Sequence, residues 1–333
     1  MASERRSGAV ELSLAIPIYN EEAVLPVLFE RLRVCFAPAV LTRAGIARLQ
    51  LVMVDDGSRD TSAALIRAEI EAGAPISLVC LSRNFGHQAA VVAGLDYADG
   101  DVVGVLDADL QDPPEEILAM LERWRDGYDV VYAERRRRPE PAYKRFGYWS
   151  FYKLLSWLTE GLVPGQSGDF CLMDRRVVDA LRTLPERLRF VRGLRAWVGF
   201  RQIAHPYDRD ARAAGRPKYN LRSLYTLATD GIASSSVRPL QVTQGLATIF
   251  FLLTIVTGVR AGVRTLLGEE SDPIVLRLDA LIALVSLIGF SILASLYVLS
   301  AYVARTYLEV KGRPPYLVRE VVSQAAGSPP GRR

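Results

Sequence analysis

Apolar runs closing on polar clusters recur along the first part of the chain: LSLAIPIYN (12–20), LQLVMVDDGS (49–58), ISLVCLSRN (76–84), DVVGVLDADLQ (101–111) and YDVVYAERR (128–136). Each is short, rich in β-branched residues and bounded by turn formers, the pattern of a buried strand. Between them, residues 21–40, 60–73, 86–98 and 113–127 carry the three-to-four-residue apolar spacing of helices. Asp112 ahead of Pro113 and Pro114 predicts an N-cap with prolines in the first turn, followed by Glu115 and Glu116 at the positive end of the helix dipole. Strand–helix alternation predicts an α/β, Rossmann-like, doubly wound and mostly parallel sheet. Ligands of such sheets sit at the carboxyl ends of the strands. The polar clusters at 20–22, 55–58, 83–84 and 107–111 all fall there.

The pattern changes after Arg238. Residues 239–259 and 280–304 carry no charge, and each is long enough to cross about 30 Å of hydrocarbon as a helix. Their flanks are basic, with seven cations over 201–238 and six after Ala304, while the intervening loop mixes Arg260, Arg264 and Arg277 with Glu269, Glu270, Asp272 and Asp279. The positive-inside rule then places both termini in the cytosol and the short loop outside. The aromatic and basic stretch at 143–158 suits a helix lying in the headgroup region, and residues 219–236 suit a second one leading into the first span. The expected plan is therefore a cytosolic catalytic domain (1–210), a mobile loop and juxtamembrane helix (211–238), two transmembrane helices (239–304) and a cytosolic tail (305–333), disordered from Gln324. The protein would be multi-pass in the cytoplasmic membrane.

Composition narrows the chemistry. Half of the residues are hydrophobic and the net charge is +4, too small and unpatterned an excess for a nucleic-acid binder. Three widely spaced cysteines argue against a disulfide framework or zinc site, and two histidines exclude a histidine-rich metal centre. The N-terminus lacks the apolar run of a signal peptide. No GxGxxG turn follows a strand, which disfavours a dinucleotide-dependent oxidoreductase. Asp107 and Asp109 close an apolar strand one residue apart, with Gln111 two further on. Such an oxygen set suits Mg²⁺ or Mn²⁺, although an Asp-x-Asp triplet alone is common in turns. Arg135–Arg138 offer guanidinium forks for a phosphate, or merely a solvated charge run.

The joint pattern of PIYNEE (17–22), VDDGSRDTS (54–62) and DADLQDPPE (107–115) resembles the inverting family 2 glycosyltransferases with the GT-A fold. SGDFCLMDRR (167–176), RGLRAWVGFRQ (192–202) and the segment 212–240 resemble their polyprenyl-phosphate branch, which includes dolichyl-phosphate mannose synthases and bactoprenol glucosyltransferases. The resemblance runs from about 12 to about 310. It implies transfer of a sugar from a nucleotide-sugar to polyprenyl phosphate with inversion; glucose, galactose, mannose and aminoarabinose derivatives, on uracil or guanine, all fit the resemblance, and UDP-glucose is the donor favoured. Pro17, Tyr19, Glu21 and Arg83 would line the nucleotide pocket, and Asp55 or Asp56 would bind the base edge. Asp107, Asp109 and Gln111 would hold Mg²⁺ or Mn²⁺ against the diphosphate. Arg135 and Arg145, helped by Lys144, would meet the acceptor phosphate, and Lys218 on a closing loop would meet a donor phosphate. Asp169 would be a base or a sugar-binding carboxylate, unless it only caps the next helix. Related enzymes associate through their membrane helices, so a homo-oligomer is also implied. A membrane polysaccharide synthase and a non-catalytic nucleotide-sugar sensor are the alternatives. The first normally carries more spans and a QxxRW motif, which Leu194–Trp197 breaks.

Overall fold

The computed structural model describes residues 6–135, 167–186, 189–208 and 274–323, together with Thr248, Ile249, Leu252, Ile255, Val256 and Val259. Lys144, Arg145, Lys218, the 143–158 and 211–238 segments, nearly all of the first expected span and the tail from Gln324 lie outside these residues.

A single sheet carries the strand order β7-β5-β6-β4-β1-β2-β3-β8. Its centre is β1 (Val10–Ile18), β2 (Ile46–Asp55), β3 (Ile76–Leu81) and β4 (Val102–Val105), all parallel. These strands are apolar on both faces because both faces are covered. Leu12, Leu14, Ile16 and Ile18 point into one core, while Ala15 joins Val52, Val54, Val79 and Val103 in the other. The first face is covered by α1 (Leu25–Cys35), α3 (Ser62–Glu71) and α5 (Glu116–Arg125). The second takes α4 (His87–Tyr97), α6 (Arg175–Thr183) and α7 (Val191–Trp197). Gly94 lets α4 lie directly on β1: a Cβ there would stand 2.7 Å from that of Ala15.

The sheet departs from the expected pattern on both sides. β6 (Ser167–Asp174) runs antiparallel between β4 and β5 (Val130–Arg135), and β5 pairs in parallel with β7 (Gln202–Tyr207). The sheet is thus mixed and mostly parallel. The helix expected over 21–40 divides. Pro38 forces Ala37 into an extended conformation and starts a second helix, α2 (Pro38–Arg43). Asp112 does not cap α5. That helix starts at Glu116 after a proline turn, and the Asp112 carboxylate instead accepts from the Tyr207 hydroxyl. Nor does Asp169 cap α6; Asp174 does, accepting from the Arg176 amide at 3.0 Å.

At the C-terminal end, α8 runs from Ile274 to Val310, beyond the expected limit of 304. Its Leu287–Val310 segment, mean hydropathy 2.0, is the one described helix long and apolar enough to cross a membrane. Residues 305–323 are not simply a tail. After α8 the chain enters β8 (Val318–Ser323), antiparallel to β3 at the sheet edge.

Candidate active site

The parallel strands bring four loops to one rim, and these loops are knitted to one another. After β1, the Asn20 amide donates to Ser58 Oγ and the Asn20 side chain accepts from the Arg59 amide. The Glu21 amide donates to Ser62 Oγ, and Glu22 accepts from the Thr61 amide and hydroxyl. Tyr19 is half-exposed at this rim, whereas Pro17 is buried inside β1 opposite Val54. A proline is tolerated there because β1–β4 pairing ends at Ala15, so no ladder bond needs its missing N–H.

Asp55 and Asp56 are both buried but differently engaged. Asp55 Oδ1 accepts from the Ser58 amide at 3.0 Å, forming the turn after β2. The two oxygens of Asp56 accept from the Phe85 and Gly86 amides at 2.7 and 2.9 Å. Asp56 therefore clasps the β3–α4 loop, and burial pushes its pKa up despite those amides. Gly57, at φ 69°, makes this approach possible: a Cβ would stand 2.6 Å from the Arg83 carbonyl carbon. Arg83 is exposed and lies over the Phe85 ring at 4.1 Å.

Asp107, Asp109 and Gln111 follow β4. Asp109 Oδ1 accepts from the Gln111 amide at 3.1 Å, which closes the loop. Asp107 Oδ1 and Gln111 Oε1 are buried with no hydrogen-bond partner. Burial lifts the Asp107 pKa to about 6; His87 counters this, while Asp169, Asp112 and Asp109 add to it. Orphaned buried oxygens are costly unless something binds them, and an all-oxygen set fits a hard divalent cation. Among the described residues, no group of three or more His, Cys, Asp and Glu is placed to hold a metal. The candidate set is two carboxylates and one amide.

Asp169 stands on β6, alongside the end of β4. Arg192 of α7 donates to both of its oxygens, at 2.7 and 2.9 Å, and Gln88 donates at 3.1 Å. His87 Nε2 lies 3.1 Å from Asp169 Oδ2 and 3.7 Å from Asp107 Oδ1. Burial opposes ionisation of Asp169, but the Arg192 charge and the hydrogen bonds from His87 and Arg192 outweigh it and hold the carboxyl far below its usual range. Burial likewise opposes charge on His87, yet the Asp169 bond and the Asp107 charge prevail and raise its pKa. His87, Gln88 and Arg192 did not emerge from the sequence as site residues. Arg192 opens the RGLRAWVGFRQ segment that carries the resemblance, and His87 and Gln88 lie in the helix expected over 86–98, but neither pattern marks them as site residues. One turn beyond Arg192, Arg195 is 1% exposed, and its Nε and Nη1 lack partners. Its guanidinium lies 5.3 Å over the Tyr132 ring.

The structure thus joins Asp107 and Asp169 through His87, places Asp109 and Gln111 in the same loop as Asp107, and sets Asp55 and Asp56 at the end of β2, one strand removed from β4 across β1. Arg135 ends β5 on the same rim.

Residues 13–182 match the family described as glycosyl transferase family 2. An uncharacterized glycosyltransferase of Synechocystis sp. is 42% identical over 313 residues, covering 94% of this chain and 96% of the relative. The SfII prophage-derived bactoprenol glucosyl transferase of Shigella flexneri is 33% identical over 312 residues, covering 93% and 98%. Among solved structures, a mannosyltransferase from Pyrobaculum calidifontis in complex with GDP-Man and Mn²⁺ superposes with a TM-score of 0.47 at 15% identity, over 90% of this chain and 88% of that one.

Proposed function

Since the chain belongs to glycosyl transferase family 2 and is related over its full length to bactoprenol glucosyl transferases, we propose that it moves a hexose from a nucleotide-sugar to polyprenyl phosphate, with inversion. The observation that carries this reading is the pairing of an under-satisfied acidic rim with a membrane-length apolar helix that is followed by a strand of the same sheet. UDP-glucose is the favoured donor.

The donor would lie over the β1, β2 and β4 ends. Tyr19, Glu21 and Arg83 would border the nucleotide, with Pro17 shaping the floor from within β1. Asp55 is the better partner for the base edge, since both oxygens of Asp56 already serve the β3–α4 loop. Asp107, Asp109 and Gln111 would hold Mg²⁺ or Mn²⁺, which supplies positive charge beside the donor diphosphate. Lys218 would add a cation to the same group. Arg135 and Arg145 would bind the acceptor phosphate.

In the reaction, an acceptor phosphate oxygen forms a bond to the anomeric carbon from the face opposite the nucleoside diphosphate. The bond to the diphosphate breaks, and the diphosphate leaves with the electron pair. A phosphate monoester has its second pKa near 6, so the nucleophile is largely ionised at neutral pH and needs no strong base. That agrees with Asp169, whose charge is already committed to Arg192, His87 and Gln88. We read Asp169 as the hub that holds Arg192 and orients His87 toward Asp107, rather than as a proton acceptor.

The basic flanks support a cytoplasmic-membrane location with the catalytic domain and both termini cytosolic, and chain direction supports their lying on one side. β8 follows α8 yet pairs with β3, so the chain between β7 and β8 must leave and return on one side of any bilayer. One crossing by α8 then calls for another before it, and the uncharged 239–259 stretch is available. Exposed side chains along α8, among them Phe290, Leu293 and Tyr297, suit contact with lipid or with a second copy of this chain.

The decisive assay is purified protein with radiolabelled UDP-glucose and polyprenyl phosphate in vesicles. Label in an organic-soluble lipid is the expected outcome. Label in long polymer, or nucleotide binding without transfer, would overturn it in favour of a synthase or a sensor.

A further inference from the structure

The apolar helix is coupled to the donor side of the rim by a short, rigid segment. α8 stops where Gly312 takes a positive φ of 66° and its amide turns back to the Glu309 carbonyl. Lys311, Gly312, Arg313, Pro314 and Pro315 then reach Tyr316, a span of at most about 20 Å for an extended chain. The two prolines narrow its conformations further.

Tyr316 is an anchor. It is 5% exposed, belongs to the core under α4, and its hydroxyl donates to Asp96 Oδ2 at 2.7 Å. The Leu317 carbonyl accepts from the Ser82 amide at 2.8 Å, and from Val318 to Ser323 the chain pairs with β3 from Leu81 back to Ser77. Arg67 on α3 pairs with Glu320. The gripped strand feeds directly into the loop whose Phe85 and Gly86 amides hold Asp56, and that loop leads into α4, whose His87 lies between Asp107 and Asp169.

We propose that residues 312–318 are a positioning strap that fixes the height and tilt of the donor site over the bilayer, with Tyr316 as its key residue. The inference rests on the lipid-acceptor reading above. A domain joined to the membrane only through the segment after β7 could pivot about that point. A second, stiff attachment at β3 removes the pivot and raises the effective concentration of a bilayer-held phosphate at the rim.

The test uses the full chain with about six Gly and Ser residues inserted between Gly312 and Arg313, which leaves Tyr316 and β8 in place and makes the link flexible. Two acceptors are compared: long-chain polyprenyl phosphate in phosphatidylcholine–phosphatidylglycerol vesicles, and a short, water-soluble prenyl phosphate. The insertion should lower kcat/KM about tenfold for the bilayer acceptor. It should change transfer to the soluble one less than about twofold and leave UDP-glucose binding and Tm unchanged. Tyr316→Phe should move the same ratio in the same direction by about threefold. Equal loss on both acceptors, or no loss on either, overturns the strap. If the unaltered chain uses neither acceptor, the lipid-acceptor reading fails first and the strap's role with it.

Discussion

Two neighbouring strand ends hold their carboxylates in opposite ways. At the start of β6, Asp169 is surrounded by donors from Arg192, His87 and Gln88, and its pKa is driven down. At the end of β4, Asp107 keeps a buried oxygen without a hydrogen bond, Gln111 does the same, and the Asp107 pKa is driven up to about 6. The folded chain supplies hydrogen bonds to one charge and leaves an oxygen of the other without any. A saturated carboxylate is architecture, while an unsaturated one beside it is the better marker of chemistry.

The largest effect should come from the unsaturated end. Asp109→Ala or Asp107→Asn is expected to lower transfer on the order of 10³-fold or more, with EDTA reproducing the loss in the unaltered protein. Full activity under all three treatments would contradict the assignment of these residues to a cation. The saturated end should respond chiefly in stability. Asp169→Asn leaves the Arg192 guanidinium without its charge partner and should cost about 3 kcal/mol, read as a lowered urea midpoint. In chelator-treated protein, Asp107→Asn should cost nothing by the same measure. Comparable losses in both would erase the contrast.

Asp174, at the far end of β6, sharpens the comparison because it is saturated but remote from the rim. It accepts from the Arg176 amide and the Trp124 indole and lies 3.1 Å from Arg6. Burial opposes its charge, but these partners prevail and lower its pKa. Its contribution is therefore complete above the ordinary aspartate value of about 3.9 and disappears as pH falls through the depressed folded value. Asp174→Asn should cost about 1–2 kcal/mol at pH 7 and flatten the fall of Tm on acidification below about pH 4. Activity at neutral pH should stay within about twofold of the parent. A small effect is also expected at Arg195. Its guanidinium is buried with unpartnered donors, so Arg195→Met should change stability by less than about 1 kcal/mol. A loss of several kcal/mol would show that the Tyr132 contact outweighs desolvation.

Much of this arrangement is legible in the sequence because the informative residues are local to apolar strands. Asp107, Asp109 and Gln111 follow DVVGVL directly, and Asp55 and Asp56 follow LQLVMV, so strand direction alone sends them to one rim. The Asp169 constellation is not legible in that way. His87 and Asp169 are 82 residues apart and Arg192 is 23 beyond Asp169, and no periodicity links them. β7 is obscured by the proline and histidine in QIAHPY, and β8 by the charges in VREVVS at a half-exposed edge. The proline breaks before α2 and α5 were visible as residues, but their consequences depended on Ala37 and on Tyr207 competing for Asp112.

β8 has one more consequence, for colloidal behaviour. Without it, β3 would present a row of unpaired amides and carbonyls flanked by Leu78, Val79 and Leu81, the kind of border that recruits strands from other molecules. With it, the outermost strand carries Arg319 and Glu320 instead. A chain ending at Val310 would thus be expected to self-associate through that border even in detergent sufficient to cover α8.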